Sequence, residues 1–188
     1  MFKYILPIAL GMSANALAGL EVQTQNPHSV FFSAGFGDAE FKTKNKNNNS
    51  HTYDFDDYAS TQFGYRYQLT NIFAIDTRYI DSSSFGFKQI FSLGLLDGTI
   101  DYDAFAVSAQ ARKSMTQNSY LYANAGVARY DWEYKTKKSK LNESGFGGLF
   151  SLGYKYQWCK VELSVEHQWL TMGDMKASNY AAEVGYRF

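Results

Sequence analysis

The chain has 188 residues, 18 basic against 18 acidic, with 45% hydrophobic and 18% aromatic side chains. This neutral balance gives no reason to expect nucleic acid or any other strongly charged partner of the chain as a whole. Its one cysteine, Cys159, cannot form an internal disulfide, and no segment beyond the first few dozen residues approaches the ~18 consecutive apolar residues of a membrane helix.

The chain opens with "MFKYILPIALGMSANALA". A basic start at Lys3, a short apolar run and small residues at Ala16 and Ala18 make the pattern of a secretory signal. Residues 1–18 are therefore expected to be cleaved near Ala18, leaving residues 19–188 as one exported domain.

Eight runs of period two follow. The first, "VFFSAGF" (30–36), sets Val30, Phe32, Ala34 and Phe36 against Phe31, Ser33 and Gly35. The same alternation recurs in "YASTQFGYRYQL" (58–69), "IFAIDTRY" (72–79), "DAFAVSAQAR" (103–112), "YLYANAGVA" (120–128), "GLFSLGYKY" (148–156), "VELSVEHQW" (161–169) and "SNYAAEVGYRF" (178–188). Each run has about the length of a tilted strand that crosses a bilayer.

A soluble sandwich with one buried face alternates in the same way. Two features favour a barrel. The polar face mixes small residues with charges in near balance: Asp76, Glu162, Glu166 and Glu183 against Arg66, Arg78, Arg112, Lys155 and Arg187. That composition suits a narrow lumen in which opposite charges pair. The connections also alternate in length. Residues 68–71, 113–118 and 157–160 are short turns, whereas Lys42 to Asp56, Asp81 to Thr99, Glu133 to Ser144 and Leu170 to Asn179 read as long polar loops. The expected fold is an all-β, eight-stranded antiparallel transmembrane up-and-down barrel, with both ends of the chain on the short-turn side.

The final strand ends on Phe188, with Tyr186, Val184, Ala182 and Tyr180 at alternate positions before it. In a closed barrel the last strand must seal against the first, because backbone groups left unpaired in lipid are costly. "FGYRYQLTNIFAIDTRYID" (63–81) and "SNYAAEVGYRF" resemble the OmpA-like family of eight-stranded outer-membrane barrels, the group of the OmpA membrane domain, OmpX, Ail and Opa. The resemblance spans the whole mature chain. It implies a surface protein of the Gram-negative outer membrane, acting in adhesion, host contact or envelope integrity. It also implies that Tyr186 and Phe188 form a C-terminal signal read by the assembly machinery, and that the barrel stands alone.

Chemistry-bearing motifs are sparse. In "VEHQWL", His167 faces outward with Trp169 two residues on, while Ser164 lies on the opposite face, so the strand makes no nucleophile–base pair. "GFGDAE" lacks the last glycine of a dinucleotide motif, and Asp54, Asp56 and Asp57 read as solvated loop charge. No catalytic residue, cofactor or metal is expected. Lys135, Lys137, Lys138 and Lys140 crowd the third long loop and form the expected contact site for anionic groups, namely lipopolysaccharide phosphates and acidic or sulfated glycans of a host surface. The alternative function is a small pore, and a lipid A-modifying enzyme is a weaker third. Monomeric behaviour is expected.

Overall fold

A computed structural model describes residues 26–44, 50–83, 99–135 and 140–188. Eight strands run in chain order: β1 (His28–Lys44), β2 (Ser50–Gln68), β3 (Phe73–Ser83), β4 (Thr99–Ser114), β5 (Ser119–Lys135), β6 (Lys140–Trp158), β7 (Val161–Met172) and β8 (Met175–Arg187). Each pairs antiparallel with its neighbours in sequence, and β8 closes on β1 from Ser29↔Arg187 to Phe41↔Met175. The result is a closed barrel. The signal segment lies outside the described residues, as do the side chains of the acidic residues 54, 56 and 57.

Following one rung around the wall leads from Val30 through Tyr65, Thr77, Val107, Val127, Gly148, Thr171 and Lys176 to Glu40, a slide of ten residues. A stagger of ten over eight strands corresponds to a strand tilt of about 40°.

Side chains alternate between the two faces, apart from a bulge where the β1–β2 register shifts between Gly37 and Ala39. Outward positions carry Phe32, Phe36, Phe63, Phe105, Val127, Leu163 and Val165, all exposed. Tyr65, Tyr67, Tyr154, Tyr156, Tyr186 and Phe188 ring the end that bears the short turns, whereas Tyr79, Phe150, Trp169 and Tyr180 stand towards the other end. An apolar band between aromatic girdles is the surface that a bilayer requires.

Above this band the polarity of the wall inverts. Outward positions become Asp38, Asp81, Asp103, Asp131 and Lys176, all exposed. Inward positions become Phe41, Tyr58, Tyr102, Tyr130, Trp132, Leu170, Met172 and Met175, which form one buried cluster. The strands here obey the pattern of a water-soluble barrel.

This inversion corrects the expected loops. The segment Leu170 to Asn179 is two strand ends joined by Gly173 and Asp174, with Met172 opposite Met175. Gly173 takes φ +59, the left-handed conformation that a two-residue hairpin needs and that a side chain resists. β1 and β2 pair up to Lys44↔Ser50, and β5 and β6 up to Lys135↔Lys140, so most of those two expected loops is also strand. A search for oily residues facing outward stops where the wall leaves lipid, although the strands continue.

Candidate functional site: the filled lumen and the outer rim

The band-level lumen is filled by ions. Arg66 sits at its centre: Nε donates to Asp76 Oδ2 at 2.9 Å, Nη1 to Glu162 Oε2 at 3.3 Å, and Nη1 and Nη2 to the two Glu183 oxygens at 3.1 Å each. Arg78 donates to Asp76 Oδ1 at 2.8 Å and to Glu166 Oε1 at 2.6 Å. Lys155 reaches Glu162 at 3.0 Å and Glu183 at 3.6 Å, and Arg187 reaches Glu162 at 2.6 Å. All eight of these residues are buried.

Their convergence follows from register. Arg66 stands opposite Asp76 across β2 and β3, and opposite Ser29 on β1, which in turn faces Arg187 of β8. Ions taken out of water need full compensation, and shared carboxylates supply it here.

Arg112 departs from the expected pairing. Its Nε donates to the Asn71 backbone oxygen at 2.9 Å, and its guanidinium lies over the Tyr120 ring at 4.8 Å. Among the described residues it contacts no carboxylate, because it sits level with the turn between β2 and β3, below the acidic cluster. Among the described residues, the five buried cations thus exceed the four buried carboxylates by one.

Uncharged partners complete the network, and charge counting alone passed over them. Tyr122 and Ser151 donate to Glu166 Oε2 at 3.2 and 3.1 Å, Gln62 pairs with Gln168 at 2.8 Å, and Asn124 bridges Gln110 and Ser151. Phe31 lies beneath both arginines, its centroid 4.7 Å from Arg66 Cζ and 5.3 Å from Arg78 Cζ. The ring has this space because Gly64 stands opposite; a Cβ there would come within 2.2 Å of Phe31 Cζ. Gly153 leaves the same room for Tyr122. The available signal was their phase, since every one falls on the inward parity.

Over the ion network lies the apolar cluster of the protruding end. Phe41 and Trp132 meet edge to face at 5.0 Å, and Tyr58 and Tyr102 at 5.7 Å. The interior therefore holds two stacked fillings, one ionic and one aromatic.

At the opposite end of β8, the Phe188 N–H donates to the His28 oxygen at 2.9 Å and the two rings stack at 5.8 Å. Tyr186 pairs with Val30 and Val161 and faces outward. Of the lysine cluster, Lys135 and Lys140 form the last rung of the β5–β6 hairpin, and Lys137 and Lys138 lie outside the described residues.

On the outer face, His167 meets a serine that one-strand reasoning missed. Ser178 on β8 brings its Oγ to 3.2 Å from His167 Nε2, diagonal to the His167↔Tyr180 rung. The ring is held between Trp169 and Tyr180, with centroids at 4.1 and 4.2 Å. Among the described residues its Nδ1 has no hydrogen-bond partner.

The sequence matches the family model described as outer membrane protein beta-barrel domain over residues 5–188. The chain belongs to the outer-membrane β-barrel family. Similar solved structures include Neisserial surface protein A, 13% identical, covering 86% of this chain and 97% of that one at a TM-score of 0.66. The N-terminal barrel domain of Pseudomonas aeruginosa OprF is 16% identical, covering 88% and 100%, at 0.57. Ail, the attachment invasion locus protein of Yersinia pestis, is 14% identical, covering 84% and 98%, at 0.51. At such identities the likeness is one of fold. Comparison with curated protein sequences gives no match.

Proposed function

We propose that this outer-membrane barrel is non-conducting and non-enzymatic, exported by its first 18 residues, and that it acts through its protruding extracellular end. The observation that carries this reading is the double filling of the lumen. Eight strands enclose an interior about wide enough for side chains alone. Here ion pairs occupy the band level and buried aromatics the protruding level. Function is then left to the rim and its hairpins.

The lysine-rich tip of the β5–β6 hairpin, Lys135, Lys137, Lys138 and Lys140, is the contact element of this proposal. Ammonium groups attract phosphate and sulfate as point charges, with little selectivity and strong dependence on salt. Lipopolysaccharide and acidic glycans are the proposed partners. The Yersinia pestis Ail structure solved in complex with the heparin analogue sucrose octasulfate makes a sulfated sugar a suitable probe.

The test measures binding of purified barrel to a sulfated glycan and to lipopolysaccharide at low and high salt, beside a variant with all four lysines changed to glutamine. Salt-sensitive binding that the variant loses supports the proposal. Equal binding by both proteins contradicts it.

A further inference from the structure

Arg112 is held in the lumen by one edge and one face of its guanidinium. Nε donates to the Asn71 oxygen, and the plane lies over Tyr120. The remaining edge, Nη1 and Nη2, makes no hydrogen bond among the described residues, although the residue is only 7% exposed. Arg187, 8% exposed, commits Nη2 to Glu162 at 2.6 Å and leaves Nε and Nη1 in the same condition. A guanidinium taken out of water without a counter-charge is costly, so this arrangement calls for an anion.

The free nitrogens are within reach from outside. Arg78 Nη2 is sealed from solvent, whereas the unpartnered nitrogens of Arg112 and Arg187 keep contact with it. Both residues stand at the end that bears the short turns: Arg112 is two residues from the end of β4, and Arg187 is the last residue of β8. They are also near one another. Of the charges around Arg112, that of Arg187 acts on it most strongly, and it repels.

No acid at this end is left to serve them. The turns 69–72, 115–118 and 159–160 contain no acidic side chain, and the exposed charges beside them are Lys113 and Lys160. Glu162 is already shared by Arg66, Lys155 and Arg187. The Phe188 carboxylate is an ion-pair partner of neither arginine among the described residues. His28, at the start of β1, is engaged with the Tyr65 hydroxyl. The mouth of the lumen on this side is therefore positive, within a chain of zero net charge.

The geometry of the donors selects the anion. A guanidinium edge presents paired N–H groups that match two oxygens of an oxyanion. Two such edges offer more donors than the two oxygens of one carboxylate can use. A phosphate group has further oxygens and carries more than one negative charge at neutral pH. We propose that the short-turn mouth of the lumen is a binding site for a phosphate group, held by Nη1 and Nη2 of Arg112 and the free N–H groups of Arg187. The site lies at the opposite end of the barrel from the lysine tip and does not depend on it.

The test uses isotope-labelled barrel in maltoside micelles, which carry no phosphate. Inorganic phosphate is titrated in at constant ionic strength while the arginine Nε–H resonances are followed by NMR. The expected result is a saturable shift of the Arg112 and Arg187 signals, with those of Arg66 and Arg78 unmoved. Acetate, and phosphate with an Arg112→Gln barrel, are each expected to bind roughly tenfold more weakly or worse, the worth of a charge-assisted hydrogen bond. Absence of a saturable shift overturns the proposal. So does equal binding of acetate, or movement of all four arginine signals in step, and neither result needs a variant. Undiminished binding by an Arg112→Gln barrel with wild-type circular dichroism overturns it as well. Glycerol phosphate and phosphatidylglycerol, added in separate arms, distinguish the source of the group. A response to the first assigns a soluble ester, a response to the second alone assigns a lipid headgroup, and a response to neither overturns the site.

Discussion

Arg66 and Glu183 lie 117 residues apart in sequence, yet two guanidinium N–H groups meet the two carboxylate oxygens at 3.1 Å each. The pair spans the lumen from β2 to β8 and joins the strands on either side of the β1 seam. Breaking a buried pair from one side leaves a charge without its partner, at a cost of roughly 3–5 kcal/mol. Arg66 serves three carboxylates and Glu183 two cations, so Arg66→Ala is expected to lower the urea-unfolding midpoint more than Glu183→Ala. Arg112→Ala, which strands no carboxylate, is expected to lower it least. Equal midpoints for the three variants would contradict the assigned network.

The Phe31 ring is wedged under Arg66 and Arg78 only because Gly64 lacks a side chain. Gly64→Ala forces a clash with the ring and is expected to cost about 1–3 kcal/mol by overpacking. Combining it with Phe31→Leu should recover part of the loss, because the smaller side chain vacates the contact. Chemical denaturation of the two single variants and the double variant reads this directly; strictly additive effects would show that the two positions do not touch.

The protruding end should behave as a core in water. Trp132→Ala removes the partner of Phe41 from the buried cluster, and large-to-small changes of this kind cost about 3–5 kcal/mol. The expected signature is a lower unfolding midpoint with unchanged outer-membrane insertion, since the ionic filling and lipid band are untouched. Loss of insertion without a change in midpoint would place Trp132 elsewhere.

The band portion of this fold was legible because its alternation has a fixed sign: Phe32 and Phe36 out, Phe31 and Ser33 in. Leu170, Met172 and Met175 keep the same phase but face a core while their neighbours face water, so a rule tuned to lipid took them for loop. The lumen charges were legible as inward positions. Which ions meet was not, because Arg66 and Glu183 are joined by a ten-residue stagger that no local pattern encodes. Ser178 beside His167 was hidden for the same reason: the contact runs diagonally between strands. Gln62, Gln168 and Phe31 carried only their parity, which distinguishes inside from outside and not partner from partner.

Phe188 closes the wall through its N–H to the His28 oxygen and stacks on the His28 ring. Deleting it is expected to reduce the amount of barrel in the outer membrane far more than it lowers the stability of protein already folded in detergent, because the aromatic end is proposed to be read during insertion. Comparing membrane levels in cells with unfolding midpoints in micelles separates the two effects. Normal membrane levels of the truncated chain would contradict the assembly role.

Conductance is the most direct measure of the central claim, that the lumen is filled and the protein works through its outer rim. Wild-type barrel reconstituted in a planar bilayer is expected to give no steady conductance across a wide range of salt. Trp132→Ala is expected to stay closed as well, because the ion pairs around Arg66 still occupy the level below. A steady open current through the wild-type protein, growing in proportion to salt, would contradict a filled interior.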